Sequence, residues 1–115
     1  MLKVKTVRKT WGHELWLANN RDEDYCGKIL HMNAGNKFSM HFHVSKHETF
    51  YVLKGACLLT TIDTQTAAQS TIELYEGDSY EIDRFVPHQV ETTIDCDIIE
   101  TSTFHSDDDS YRVWR

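Results

Sequence analysis

The chain has 115 residues, with 12 Lys and Arg against 18 Asp and Glu, and its formal net charge is −6. This length predicts a single domain over residues 1–115, because compact domains run from about 50 to 250 residues. No apolar run approaches the roughly 18 residues that a membrane span needs, so we expect no membrane partner and a cytoplasmic location. The negative charge and the scattered basic residues argue against nucleic acid as a partner.

The three cysteines, Cys26, Cys57 and Cys96, are odd in number and lie far apart in the sequence. A secreted protein that depends on disulfides has an even number of cysteines in a denser pattern. We therefore expect three reduced, buried thiols without a catalytic role.

Short segments rich in Val, Ile, Thr, Phe and Tyr follow one another between turns that contain Gly, Asn or Asp. The period-two alternation is clear at 38–44, where His41 and His43 share one face and Phe42 takes the other. The pattern predicts strands at 3–9, 14–18, 26–33, 38–44, 48–54, 56–62, 71–75, 78–83, 87–94 and 96–103. Many short strands in succession predict an all-β protein, either an antiparallel sandwich or a barrel. The aromatic tail at 111–114 follows an acidic turn, and we expect it to dock on the body of the protein or on a second subunit.

Three histidines and one glutamate form the pattern with the clearest chemistry. His41 and His43 are two residues apart, which on a strand places both imidazoles on one face, about 7 Å apart along the chain. Glu48 begins the next predicted strand, and His88 follows Pro87 at the start of a later strand. Three imidazoles and a carboxylate suit one divalent transition metal, with Fe, Mn, Ni, Co and Zn all compatible.

The first part of this pattern resembles the first motif of the cupin superfamily. The spacing Gly35-x5-His41-x-His43-x4-Glu48-x6-Gly55 matches that motif in full. The resemblance implies a single cupin (jelly-roll) antiparallel β-barrel of about six to eight strands. It also implies a homodimer formed by swapping or packing the N-terminal strands. Lysines such as Lys3 and Lys5 are also a common device that keeps an edge strand unpaired, so that alternative stays open.

The second cupin motif is matched more loosely. Gly77 and His88 are in place, but Asp83 stands where the family has proline, Phe85 where it has glycine and Thr92 where it has asparagine. Together the two motifs imply that His41, His43, Glu48 and His88 hold a metal inside the barrel. The departures put the turn at 83–86 in question.

Two shorter segments resemble the cupin half of type II mannose-6-phosphate isomerases. Residues 10–14 (TWGHE) are similar to the opening of that half, and 98–102 (IIETS) with 107–112 are similar to its closing stretch. This resemblance implies a sugar or a sugar phosphate as the small-molecule substrate.

Several further residues are candidates for catalysis or substrate binding. His47 is a candidate base at the rim of the barrel, and Tyr80 and Glu81 lie on opposite faces of one strand, so that one of them faces the pocket. The remaining candidates would bind substrate: Arg84 and Lys46 as cations at the mouth, and His31 as a residue lining the barrel. For His47, His31, Arg84 and Lys46 a structural or solvent-exposed role is also open. His13 and His105 have no partner in the pattern and receive no role.

Three functions remain open at this stage. The first is a metal-dependent isomerase or epimerase, in which the divalent ion stabilises an enediolate while a base moves a proton between adjacent carbons. The second is a dioxygenase or lyase acting on a small organic acid. The third is a non-catalytic module that binds a small molecule, since a fold alone does not choose between activities.

Overall fold

The computed structural model describes Met1 and residues 3–115, and within these residues the chain forms eleven strands and one short 3₁₀ helix. The strands are β1 (Lys5–Lys9), β2 (Gly12–Asn20), β3 (Tyr25–Met32), β4 (Met40–Phe42), β5 (Glu48–Lys54), β6 (Ala56–Ile62), β7 (Gln69–Tyr75), β8 (Ser79–Ile82), β9 (His88–Glu91), β10 (Cys96–Ser102) and β11 (Tyr111–Trp114). The 3₁₀ helix spans Asp107–Asp109. The ten predicted strands are all present, and β5 and β6 have the predicted bounds.

The strands form two antiparallel sheets. The larger sheet has the order β1-β2-β3-β10-β5-β8, and the smaller sheet has the order β11-β4-β9-β6-β7. Strands that are distant in sequence, such as β3 and β10, pair side by side, as in a jelly roll. This arrangement confirms the all-β, antiparallel jelly-roll prediction, although the described residues hold more strands than the six to eight expected.

The core lies between the two sheets and is built by period-two alternation. In β3 the buried residues alternate along the strand from Cys26 to Met32, and the intervening side chains are more exposed. The centre of the core contains fully buried aliphatic and aromatic side chains, among them Leu30, Met32, Phe50, Val52, Leu59, Val90 and Ile98. Cys26, Cys57 and Cys96 are also buried. One of the inward positions of β3 carries a charge, Lys28, and this residue lines the site described below.

Two turns of the matched motifs place residues in the left-handed region of backbone conformation. Gly55 has φ +86°, and a Cβ atom there would lie 2.3 Å from the carbonyl oxygen of Asp95, so no larger residue fits without a shift of the backbone. Phe85 has φ +71° at the position where the cupin motif has glycine. The turn at 83–86 therefore has the left-handed conformation that glycine adopts at least cost, but a phenylalanine occupies the position.

The aromatic tail packs on the body of the protein, which is one of the two positions that the sequence predicted for it. β11 pairs with β4 at the edge of the smaller sheet, and the Tyr111 ring stacks on Phe42 with ring centroids 5.3 Å apart. Within Met1 and residues 3–115, no helix has the length and apolar character needed to cross a membrane.

Candidate metal centre

Three imidazoles converge inside the barrel because of strand pairing and strand spacing. His41 on β4 lies directly opposite His88 on β9, and His43 follows β4 on the same side as His41. One nitrogen from each of these rings lies within 4.8 Å of the other two. Glu48 begins β5 in the opposite sheet, and its Oε2 lies 3.2 Å from His43 Nε2 and 3.7 Å from His88 Nε2. The structure thus brings together the four residues that the motifs suggested.

Hydrogen bonds to the main chain fix which nitrogen of each ring faces inward. The Nδ1 atoms of all three histidines lie against carbonyl oxygens, which only accept hydrogen bonds, so each Nδ1 carries the hydrogen in a neutral ring. The acceptors for His41, His43 and His88 are the carbonyls of Ser39 at 2.7 Å, Asp109 at 2.7 Å and Val86 at 3.0 Å. Each Nε2 therefore presents a lone pair to the interior, which is the arrangement that metal-binding histidines use.

A divalent cation fits these donors. Glu48 Oε2 and His88 Nε2 are buried and have no hydrogen-bond partner among the described residues. Buried polar atoms without partners are costly, and a cation between them removes that cost. Ligand atoms that bind one ion at about 2.1 Å lie about 3 Å apart when adjacent, close to the 3.2 Å between His43 Nε2 and Glu48 Oε2. Nitrogen and oxygen donors of this kind suit Fe, Mn, Ni, Co or Zn.

The protonation states of the donors also suit a cation. Burial, together with the neighbouring His88, lowers the pKa of His41 from 6.5 to about 3. Burial likewise lowers the pKa of His88. For Glu48, burial alone would raise the pKa, but His43 and the charge of Lys46 hold it below its usual value. Neutral imidazoles and an ionised carboxylate are the forms that bind a metal.

Asp109 secures the loop that joins two of these residues. Its carboxylate accepts hydrogen bonds from three successive main-chain N–H groups, those of Val44, Ser45 and Lys46, at 2.9 to 3.2 Å. Its own carbonyl accepts the hydrogen bond from His43 Nδ1. The 3₁₀ helix at Asp107–Asp109 therefore fixes the backbone between His43 and Glu48 as well as the orientation of the His43 ring.

A cavity of about 710 Å³ opens beside the converging donors, and His41, His43 and Glu48 are in its wall. Lys46 is buried in the same wall rather than placed at the mouth as the sequence suggested. Its Nζ lies 3.0 Å from Glu100 Oε2, 3.1 Å from His105 Nδ1 and 4.0 Å from Glu48 Oε2. Burial alone would lower the Lys46 pKa, but Glu100 and Glu48 raise it above its usual value.

A second buried ion pair lies in the same wall. Lys28 is 1% exposed, and its Nζ lies 3.3 Å from Glu14 Oε1 and 4.3 Å from the centre of the Trp16 ring. Trp16 Nε1 donates a hydrogen bond to the same carboxylate oxygen. The lysine is thus paired with a carboxylate and packed on an aromatic face, as a buried charge requires.

The structure corrects the expected positions of the candidate bases. His47 and Glu81 do not line the cavity. Their side chains meet outside the larger sheet, with His47 Nε2 at 2.7 Å from Glu81 Oε2 and 3.2 Å from Asp83 Oδ1. The reason is alternation, because Glu48 faces inward and its neighbour therefore faces outward. Tyr80 packs against the edge of the core and is not in the cavity wall either.

Two expected substrate-binding residues also lie outside the cavity. His31 is on the outer face of β3, where its ring stacks on His13 and its Nδ1 lies 2.5 Å from Asp97 Oδ1. The buried face of β3 is occupied by the alternate residues, including Leu30. Arg84 is exposed, and its Nε donates a hydrogen bond to the Ser45 carbonyl, so it supports the metal-site loop from outside.

Sequence reasoning missed much of the cavity wall, including four residues that form or contact its two buried ion pairs. His105 had no role assigned, yet it contacts Lys46, and Asn19 holds its main-chain N–H and carbonyl through two hydrogen bonds. No local pattern marks this residue, because it follows β10 in an irregular segment. The other three are Glu14, Lys28 and Glu100. Each is a charged residue at an inward position of a strand, and that position was a usable signal.

Residues 28–100 match the sequence pattern of the Cupin domain family. No curated protein matches the chain. Among solved structures, the fold is similar to CapF, a capsular polysaccharide assembling protein of Staphylococcus aureus, with a TM-score of 0.86 and 15% identity over 100% of this chain and 33% of CapF. It is also similar to a variant of oxalate decarboxylase OxdC from Bacillus subtilis, with a TM-score of 0.84 and 14% identity over 96% of this chain and 30% of that one. For the Lactobacillus farciminis oxalate decarboxylase formate complex, the TM-score is 0.82 and the identity 15%, over 96% of this chain and 34% of that one. The chain spans about a third of the length of these proteins. The TM-scores show a shared fold, and at identities this low the likeness shows the fold alone.

Proposed function

Because the chain belongs to the cupin domain family, we propose that residues 1–115 form one metal-dependent catalytic domain. The ion is one divalent transition metal, Fe, Mn, Ni, Co or Zn, and its ligands are His41, His43, Glu48 and His88. The observation that carries this proposal is the convergence of three imidazoles, each with its Nδ1 fixed by a main-chain hydrogen bond, beside the unpartnered Oε2 of Glu48, which lies within 3.7 Å of the Nε2 atoms of His43 and His88.

The activity that we propose is isomerisation or epimerisation of a sugar or a sugar phosphate. A bound divalent ion supplies positive charge for the neighbouring oxygens of such a substrate as a proton leaves the adjacent carbon. Glu100 accepts that proton and returns it to the next carbon. Its Oε2 receives hydrogen bonds from Lys46 Nζ at 3.0 Å and Ser102 Oγ at 3.1 Å, and these hold the carboxylate in the cavity wall. Glu100 thereby takes the role of base that His47, Tyr80 and Glu81 were expected to fill.

Metal binding is tested by replacing two ligands together. The change of His41→Ala with His43→Ala removes half of the donors and should abolish binding of one equivalent of metal, measured by elemental analysis after loading and desalting. His13→Ala is the matched control, because this imidazole lies on the outer face of the larger sheet and stacks on His31. Retention of a full equivalent by the double variant contradicts the metal-site proposal.

Proton transfer is tested by deuterium uptake. The metal-loaded protein is incubated with fructose 6-phosphate and mannose 6-phosphate in D₂O, and proton NMR follows exchange at the carbon next to the carbonyl. We expect exchange with at least one of the two, and we expect Glu100→Gln to abolish it while the metal content stays at one equivalent. Exchange that persists in Glu100→Gln would assign the base to another residue. Absence of exchange in the parent protein would contradict the isomerase proposal.

A lyase or dioxygenase acting on a small organic acid is the second candidate. The observation that favours it is the excess of basic over acidic side chains in the cavity wall, whose exposed Lys and Arg residues suit a carboxylate. Two of the structural neighbours are named as oxalate decarboxylases. Release of CO₂ or consumption of O₂ with oxalate, by the metal-loaded protein and not by the His41→Ala, His43→Ala variant, would favour this candidate over the isomerase.

We also propose that two copies of the chain form a homodimer through their N-terminal strands. β1 is the edge strand of the larger sheet. The outer surface of that sheet exposes apolar side chains, with Leu17 44%, Tyr51 39% and Leu53 48% exposed. Light scattering at micromolar concentration should give about twice the 13.4 kDa of one chain. A mass equal to that of one chain would refute the dimer.

A further inference from the structure

The cavity beside the metal centre collects most of the basic side chains of an acidic protein. Its wall contains 23 of the 115 residues, a fifth of the chain, but seven of the twelve Lys and Arg residues and four of the eighteen Asp and Glu residues. An even distribution would put more acidic than basic side chains there. The remainder of the chain is therefore strongly acidic, and the cavity is its basic feature.

Only part of this positive charge is balanced within the cavity wall. Lys28 is paired with Glu14, and Lys46 with Glu100. The other five basic residues are exposed, and none has a carboxylate within 4.0 Å among the described residues 1 and 3–115. These five are Arg8, Lys9, Lys37, Arg112 and Arg115. All five are exposed residues of the cavity wall, whereas the two paired lysines are buried in it.

The fold places Arg112 beside a proposed metal ligand and Lys9 near the buried ion pair of the cavity wall. Arg112 on β11 lies directly opposite His41 on β4, so both side chains leave the strand pair on the same face. Lys9 ends β1 at the edge of the larger sheet, whereas Arg112 is on the edge strand of the smaller sheet, and the charge of Lys9 acts on a residue in the cavity wall. Burial alone would raise the pKa of Glu14, but Lys28, Trp16 and Lys9 together hold it below its usual value. The cations thus border the space next to the metal-site donors.

We infer that the substrate carries a doubly charged group such as phosphate, which binds at the mouth between Lys9 and Arg112 while the rest of the substrate reaches the metal centre. This inference rests on the proposed function and narrows its substrate from sugars in general to sugar phosphates. Exposed cations without partners attract an anion and orient it, and the planar fork of arginine suits the oxygens of phosphate. A neutral sugar leaves these charges without a partner.

The test measures binding of fructose 6-phosphate and of fructose by titration calorimetry with the metal-loaded protein. The variant carries Lys9→Gln and Arg112→Gln, which keep side-chain length and remove two positive charges. The matched control carries Lys54→Gln and Arg21→Gln, two exposed cations outside the cavity. We expect the Lys9, Arg112 variant to bind fructose 6-phosphate at least tenfold more weakly than the parent and the control, because each lost charge-assisted contact contributes about a factor of ten. Fructose affinity should be the same in all three proteins.

The same experiment separates failure of this inference from failure of the proposed function. Metal content is measured for every variant, and the titrations are repeated after chelator treatment. If parent and variant bind fructose 6-phosphate with equal affinity and both retain metal, the phosphate-site inference is refuted, whereas the metal-site proposal is not affected. A parent protein that holds no metal but still binds fructose 6-phosphate through Lys9 and Arg112 would support the phosphate site and contradict the metal-dependent function. Malonate is included in the series, and a loss of affinity in the variant that is confined to malonate would assign the mouth to carboxylates instead.

Discussion

Removing the carboxylate of Asp109 should loosen the loop that joins two proposed metal ligands. In the folded chain this carboxylate accepts hydrogen bonds from Val44, Ser45 and Lys46, all at 2.9 to 3.2 Å. Burial alone would raise the pKa of Asp109, but these three N–H groups hold it below its usual value, so the group is ionised at neutral pH. Hydrogen bonds to a charged group contribute about 1.5 kcal/mol or more each when buried. Because this side chain is partly exposed, we expect Asp109→Ala to lower the free energy of unfolding by about 2 to 4 kcal/mol.

The effect on metal binding follows from the same contacts. Residues 44–46 connect His43 to Glu48, and the main chain of Asp109 also fixes the His43 ring. Loss of a partner that orients metal ligands lowers metal affinity by about 10- to 100-fold. We expect Asp109→Ala to fall in this range, and Asp109→Asn to show a smaller loss because one acceptor oxygen remains.

Urea denaturation of the metal-free protein measures the first quantity, and titration calorimetry with Co²⁺ measures the second. Asp108→Ala is the matched control, because this neighbouring carboxylate is exposed and takes no part in the loop contacts. If Asp109→Ala lowers stability but leaves Co²⁺ affinity within twofold of the control, then the carboxylate stabilises the fold without positioning the ligands. Unchanged values of both quantities would refute the role of the 3₁₀ segment altogether.

Two further predictions concern acid and the turn at 83–86. Because the pKa of His41 is about 3 in the folded chain and 6.5 unfolded, the unfolded chain binds more protons between these values, and stability falls as pH falls. Urea denaturation of the metal-free protein should show that His41 contributes about 3 kcal/mol to the loss between pH 7.5 and 4.5, and His41→Gln should remove this contribution. Phe85 has φ +71° and is 55% exposed, so Phe85→Gly should raise the free energy of unfolding by about 1 kcal/mol, whereas Phe85→Ala should give no gain. Equal unfolding midpoints for the glycine and alanine variants would show that this turn carries no conformational strain.

The alternation of apolar and polar residues predicted most of the strands, because a strand with one buried face shows this alternation in its sequence. β5 and β6 have the predicted bounds, since β-branched and aromatic residues fill both segments and Gly55 separates them. β4 is shorter than the predicted strand at 38–44, because its partner β9 pairs with it at only one position, His41 with His88. β11 was expected to dock but was not assigned as a strand. Four exposed residues carry no alternation, and its pairing with β4 depends on contacts that are distant in sequence.

The sequence indicated the candidate metal ligands, whereas it did not indicate the wall of the cavity. His41, His43 and Glu48 lie within eight residues of one another, so their spacing carries the geometry of the site in a single short segment. The wall of the cavity instead gathers residues from segments far apart in the chain, and the pairing of β10 with β3 and β5 decides which of them meet. His105 reaches Lys46 only because Asn19 holds the main chain of the segment after β10. No short-range pattern records such a contact.

Charged residues at inward positions can nevertheless be recognised in the sequence, because they interrupt the run of apolar residues on the buried face of a strand. Glu100 lies in the alternating run of β10 and Lys28 in that of β3, each at a position whose neighbours two residues away are buried. A buried charge without a partner costs several kcal/mol, so an inward charge on one strand requires an opposite charge or a polar cavity on the facing elements. Lys46 meets Glu100 and Lys28 meets Glu14, and both pairs line the space beside the metal centre. In a barrel with an apolar core, inward charges that break the hydrophobic alternation therefore indicate which end of the interior is polar and open to a substrate.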